Sequence, residues 1–338
     1  MPPPQTTWEA GTVSASNRKP DGGRSVLVLG ASGFVGGHVC RAFAAAGWRV
    51  AGVARTAPTA PTAHEIHGLD LVRAEPAHIA HLVRHLRADA VVNAAGAVWG
   101  ATEDDMERCN ADLVRRVVAA RPPRLIHLGS VHEYGPVPRT GITESTPTAP
   151  LTPYGRSKLA GARALLDSGA DGVVLRVSNV SGPGTSPVSL LGLVARHLAA
   201  GAAAPLRLAP LLAHRDFVDV RDVADAAVAA AGSRVTGRVI NIGAGRATSV
   251  RQLVARLVAL AGCGAEIVEA PLEGGRPPEA EWQRMDISLA HELLGWRPRR
   301  TLDTSLSDLL TEARRAHHDS LSSAVRAPAP TISASGHR

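Results

Sequence analysis

Residues 25–37 read SVLVLGASGFVGG. A run of apolar residues reaches a glycine at position 30. Glycines recur at 33 and 36 as a helical pattern, FVGGHVCRAFAAAG (34–47), begins. A continuous Val/Leu run marks a strand buried on both faces. Gly30 permits a tight turn, Gly33 lets a pyrophosphate approach the backbone at a helix N-terminus, and Gly36 lets helix and strand pack closely. The position between strand and helix makes this a dinucleotide-binding loop and not a bare glycine pattern.

Working outward, the first helix ends at Gly47, a residue suited to the C′ position. RVAGVAR (49–55) is the second strand. HIAHLVRHLRA (helix), DAVVNAAG (strand), a helix near 103–120 and RLIHLGS (strand) follow. A helix opened by Thr152 leads to the strand DGVVLRVSN. Apolar strands alternating with amphipathic helices predict an α/β fold, a Rossmann-type doubly wound parallel sheet. From about 183 the rhythm changes, and SLLGLVARHLAAG, VADAAVAAA and SVRQLVARLVALAG read as helices among short strands. This is a smaller C-terminal α+β lobe. The expected organisation is a tail at 1–24, a nucleotide-binding domain at 25–182, a substrate lobe at 183–319 that exchanges a strand and helix with it, and a tail at 320–338. Both tails are Pro/Gly/Ser/Thr-rich and aperiodic, and we expect them to be disordered.

Composition excludes several classes. The 338 residues are 45% hydrophobic, and no apolar run reaches the roughly 18–20 residues of a bilayer span. The N-terminus has no apolar h-region, so no signal peptide is expected. Cys40, Cys109 and Cys263 lack metal-ligand spacing and read as reduced residues of a cytoplasmic protein. The net charge of +7 comes from dispersed arginines, with few aromatics to stack on bases, so no nucleic-acid partner is expected.

Two further stretches carry chemistry. The second strand ends at Ala54 and Arg55 without the acid that would accept bonds from a ribose 2′-hydroxyl. Arg55 suits a 2′-phosphate, which favours NADP(H) over NAD(H). In TPYGRSKLAG (152–161), Thr152 and Pro153 fit an N-cap and N1 pair. Tyr154 and Lys158 then stack at i and i+4. An ammonium beside a phenol lowers a pKa that is otherwise about 10, which would let the phenol exchange a proton near neutral pH.

GASGFVG, YGRSK and Ser130, the serine ending LGS 24 residues before Tyr154, together resemble the extended short-chain dehydrogenase/reductase family. The resemblance spans roughly residues 25–315 and implies roles residue by residue. Tyr154 would donate or accept the proton, Lys158 would hold the nicotinamide ribose, and Ser130 would bond the reacting oxygen. Gly30, Ser32, Gly33, Phe34, Val35 and Gly36 would cradle the cofactor. Asp70 and Leu71 would meet its adenine, with Asn93, Ala94 and Ala95 lining the cleft. Asn110 would support the site from its helix. Tyr134 would line the sugar site, Asn179 would touch substrate, and Arg215 and Arg276 would grip a diphosphate.

HRDFVDVRDVADA, NIGAGRATSVRQLV and MDISLAHELLGWRPRRTL resemble the nucleotide-sugar branch. The overall pattern is most similar to the GDP-4-keto-6-deoxy-D-mannose reductases and related nucleotide-sugar 4-ketoreductases. The branch implies a nucleoside-diphosphate sugar as substrate and a homodimer built through helices flanking the site. Dehydratases of the branch carry an acidic pair after the serine position, where this chain has Val131 and His132. An epimerase would keep NAD bound, against which Arg55 argues. A non-catalytic NADPH sensor would be expected to have lost the Tyr or Lys. The expected activity is therefore reduction of a 4-keto-6-deoxyhexose carried on a nucleoside diphosphate.

Overall fold

In the computed structural model, the described residues are 23–57, 63–201, 204–270 and 281–326. The strands are β1 (Ser25–Leu29), β2 (Arg49–Ala54), β3 (Glu65–Gly68), β4 (Ala90–Asn93), β5 (Leu125–Ser130), β6 (Gly172–Val177), β7 (Asn179–Ser181), β8 (Leu206–Leu208), β9 (His214–Arg215), β10 (Phe217–Asp219), β11 (Arg238–Ile242), β12 (Thr248–Ser249) and β13 (Ile267–Glu269). The helices are α1 (Phe34–Ala45), α2 (Pro76–His85), α3 (Glu103–Glu107), α4 (Leu113–Ala119), α5 (Pro153–Leu166), α6 (Leu190–Ala199), α7 (Val220–Gly232), α8 (Val250–Ala261), α9 (Ser288–Leu294) and α10 (Leu302–Arg326).

Seven strands form one parallel sheet in the order β11-β6-β5-β4-β1-β2-β3. The inner strands β1, β5 and β6 are buried along their whole length, as their unbroken apolar runs require. Alternation along β1 divides the core. Val26 and Val28 pack with Val39 and Phe43 of α1 and Val223 and Ala227 of α7. Leu27 and Leu29 pack on the other face with Ile79, Val83, Val117 and Leu165, from α2, α4 and α5. A third core, built on Leu191, Val194, Leu253, Leu257, Leu306 and Leu309, joins α6, α8 and α10 into the smaller lobe.

β11, from the second half of the chain, completes the main sheet, and α7 covers it beside α1. The structure also departs from the sequence reading. The strand β3 was not anticipated, because EIHG is a short, half-exposed edge with no apolar run. The helix expected near 103–120 is interrupted by a π-turn, Arg108–Asp112. The last helix continues to Arg326, past the tail boundary expected at 320. Leu306, Leu309 and Leu310 anchor it, and no proline or glycine interrupts the chain before Pro328. Residues 1–22 and 327–338 of the expected tails lie outside the described residues. Among the described residues, no helix is long and apolar enough to cross a membrane.

The contact that seats α5 is unusually close. A Cβ added at Gly161 would stand 2.1 Å from the Asn110 carbonyl oxygen in the π-turn. Gly161→Ala should therefore push α5 from its seat and cost about 1–3 kcal/mol. Urea denaturation should show that loss, accompanied by reduced activity.

Candidate active site

In a parallel sheet every strand points the same way, so the loop after β1 and the end of β5 share the carboxyl-terminal edge where such sheets bind ligands. At the first of these, Gly30 adopts φ +80°. A Cβ there would lie 2.8 Å from Ala95 N and Cα, and one at Gly36 would meet the Gly30 carbonyl at 2.0 Å. Gly33 is the N-cap of α1 in extended conformation, and no side chain caps it. The first turn of α1 therefore presents backbone N–H groups beside a bare backbone, with Ser32 and Gly33 exposed. This cradle fits the pyrophosphate of a dinucleotide. Phe34 and Val35 are half-buried below it, and Phe34 meets His38 edge-on.

The other expected cofactor positions fall around this loop, some in a supporting place. Asn93 is sealed from solvent (0% exposed). Its Oδ1 accepts from Ala95 N at 3.2 Å, and its Nδ2 lies 3.3 Å from His127 Nδ1. It shapes the Ala94–Ala95 turn from beneath and does not face the cleft. Leu71 belongs to the core beneath the sheet. Asp70 is half-buried and accepts from Val72 N at 3.0 Å. Arg55 is exposed at the end of β2, and among the described residues it makes no hydrogen bond or ion pair.

The candidate catalytic group assembles where α5 crosses β5. Thr152 caps α5 by accepting from Gly155 N at 3.1 Å, and Pro153 stands at its first turn, as the sequence predicts. Lys158 is buried, and its Nζ donates to the Leu128 carbonyl at 2.5 Å. Ser130 ends β5 and begins a 3-10 turn, where its Oγ accepts from His132 N at 3.2 Å. Asn110 pairs with both backbone groups of Ala97 at 2.9 Å and donates to Ser157 Oγ at 3.0 Å. Ser157 Oγ in turn donates to the Tyr154 carbonyl at 2.9 Å, so the π-turn steadies the tyrosine.

The expected acidity of Tyr154 is corrected by these surroundings. Burial raises its pKa above the ordinary value, hydrogen bonding to Ser130 lowers it, and the Glu133 carboxylate raises it again. The net direction is upward, while the Lys158 ammonium is turned to the Leu128 carbonyl. Burial in turn depresses Lys158 to about 8, against a smaller opposing pull from Glu133. His127, wholly buried below, is held well under the usual histidine range by burial and by Lys158.

Tyr134 is also corrected. It is 1% exposed, its hydroxyl donates to Asn241 Oδ1 at 2.7 Å, and the Arg176 guanidinium lies 4.6 Å from its ring centre. It belongs to the framework behind the site. Asn179 and Arg215 stand together at the edge of the smaller lobe. Asn179 Nδ2 donates to Gln283 Oε1 at 2.8 Å, and Arg215 pairs with Glu281. Arg276 lies outside the described residues.

Four contributors were not assigned from sequence. His132 packs edge-on against Tyr154, ring centres 5.7 Å apart, and feels the charges of Glu281 and Arg215. Glu133 accepts from Ser130 N at 2.7 Å and pairs with Arg176 Nε at 2.6 Å. The spacing Ser130-x-x-Glu133 is that of a capping box, a signal present in the sequence. Glu281 and Gln283 carried no local signal.

Comparison with known proteins agrees with this architecture. A family model described as the NAD dependent epimerase/dehydratase family matches residues 26–243. The chain belongs to that family. It is 42% identical over 300 residues to the dTDP-6-deoxy-L-talose 4-dehydrogenase (NAD(P)(+)) of Kitasatospora kifunensis, covering 85% of this chain and 94% of the relative. It is 29% identical over 310 residues to the GDP-6-deoxy-D-mannose reductase of Pseudomonas aeruginosa, covering 85% and 96%. The structure of RMD from Pseudomonas aeruginosa complexed with NADPH superimposes with a TM-score of 0.72 at 26% identity, covering 86% of this chain and 99% of that one. These relatives define a class of NAD(P)-linked enzymes acting on nucleotide sugars.

Lys158 supplies a test by linkage. Its folded pKa of about 8 lies below the unfolded 10.5, so the unfolded state binds more protons between those values, and stability rises with pH there. At pH 7 the buried ammonium is a burden that Lys158→Met removes. The variant's stability advantage should narrow by about 3 kcal/mol as pH climbs from 8 to 10.5. Denaturant midpoints across that range measure it.

Proposed function

We propose that the protein reduces the C4 keto group of a 6-deoxyhexose carried on a nucleoside diphosphate, with dTDP as the carrier and NADPH as the preferred reductant. The single observation that carries this reading is the meeting of Tyr154, Ser130 and Lys158 at the sheet's carboxyl edge, on the same edge as the glycine cradle. The 42%-identical relative, named for oxidation at C4 of a dTDP-6-deoxyhexose, supports the carbon, the carrier and the sugar class.

A bound nicotinamide supplies hydride chemistry, and the chain's residues do the rest. Ser130 donates a hydrogen bond to the carbonyl oxygen at C4, and Tyr154 gives that oxygen its proton as negative charge develops. A phenol whose pKa is raised by burial is protonated throughout the neutral range, which is the state a proton donor needs. Lys158 would hold the nicotinamide ribose of the bound cofactor. Asn110 and Ser157 hold the first turn of α5 so that the phenol does not drift. Arg215 and Asn179 meet the diphosphate, for which a planar forked donor is suited. Exposed Arg55 would hold the cofactor's 2′-phosphate.

Mixing the protein with NADPH and a panel of nucleotide-linked 4-keto-6-deoxyhexoses should oxidise NADPH stoichiometrically with one of them. Interconversion of two sugars without net cofactor use would replace this reading with an epimerase. Tyr154→Phe should lower kcat by about 10²–10⁴-fold while NADPH still binds. Arg55→Ala should cut the preference for NADPH over NADH in kcat/KM by roughly ten- to a hundredfold, the range of a lost charge-assisted hydrogen bond.

A further inference from the structure

The arginine assigned to the diphosphate already holds an anion of the protein's own. Arg215 and Glu281, 35% and 34% exposed, form an ion pair whose charges reach His132. The guanidinium engages the carboxylate through Nη2, whereas its Nε is buried and finds no hydrogen-bond partner among the described residues. Half of the planar fork is therefore unused and desolvated, at a place where a two-oxygen anion would satisfy both donors.

Glu281 is well placed to stay near when displaced. His214 N donates to the Glu281 carbonyl at 2.7 Å, and Gln283 N donates to the His214 carbonyl at 2.8 Å. These bonds pin the backbone on both sides, so an exchange at Arg215 asks only for a side-chain rotation. The second carboxylate oxygen is already held by Gln283 Nε2 at 2.5 Å, and Gln283 Oε1 accepts from Asn179. The carboxylate thus has another partner once it leaves Arg215, and its movement is felt at Asn179. His132, lying against Tyr154, faces the Glu281–Arg215 pair.

We propose that Glu281 is a positioning residue that occupies Arg215 as an internal anion and exchanges with the ligand's diphosphate. It keeps the guanidinium aimed into the site and weakens every diphosphate ligand by the like charge it leaves nearby. This rests on the reading of Arg215 as the diphosphate contact.

The test is titration calorimetry on the full chain with dTDP and GDP in parallel, at low and high salt. Wild type, E281Q, E281A, R215Q and the E281Q/R215Q pair are compared, with NADPH affinity and a thermal melt confirming each fold. E281Q should bind the recognised nucleoside diphosphate about fivefold more tightly, the factor set by one like charge at contact distance. E281A should shift the same way, and the gain should shrink at high salt. In the R215Q background the gain should change from its wild-type size, leaving only direct repulsion by Glu281, because the exchange itself acts through Arg215. A purely structural role for Glu281 would weaken binding on substitution. Equal or weaker binding by E281Q, with R215Q still losing affinity, overturns this proposal and leaves the diphosphate reading standing. No loss in R215Q, or no binding of either ligand by any variant, overturns both.

Discussion

A single buried ammonium fixes the register of the site. Lys158 reaches through the α5–β5 contact to the carbonyl of Leu128, two residues before Ser130. That reach is possible only because α5 lies almost on the backbone beneath it. A Cβ at Gly155 would fall 2.5 Å from the His132 carbonyl, and Gly161 is as tightly placed against Asn110. Tyr154, one turn before Lys158, is thereby set beside Ser130. The cost of burying a charge is borne because only this crossing brings phenol, hydroxyl and ammonium to one sheet edge.

Behind this crossing lies a polar framework that takes no direct part in chemistry. Glu133, wholly buried, joins the Ser130 backbone to Arg176. Arg176 lies over Tyr134, whose hydroxyl reaches Asn241 on the last strand of the sheet. Asp216, also wholly buried, gathers the backbone N–H groups of Ala244, Gly245, Arg246 and Met285. Buried ion pairs contribute little net stability, but a fully satisfied network holds its members in one arrangement. Ser130 and the smaller lobe are thus positioned by groups several elements away, which suits a site that depends on preorganised donors.

Much of this was legible in the chain. The apolar runs of β1, β5 and β6, the glycine spacing at 30, 33 and 36, and the Thr152-Pro153 helix start are local signals, and the structure realises each of them. Tyr134 misled because a tyrosine in a motif looks the same whether its ring faces a ligand or a core. Its partners, Arg176 and Asn241, are 42 and 107 residues away. The acidity of Tyr154 misled for a related reason. Spacing at i and i+4 places two side chains on one face but does not decide which acceptor the longer one chooses.

Sequence alone determined the parallel sheet, the glycine turn between its first strand and helix, and the i, i+4 spacing of a tyrosine and one of only two lysines among 37 basic residues. Those are properties of period, glycine placement and residue choice over short spans. The tertiary structure alone decided that Lys158 turns to Leu128, that Tyr134 is framework, and that Arg215 faces Glu281, 66 residues on. Burial and electrostatic pairing depend on what the rest of the chain brings alongside, and no local pattern records it.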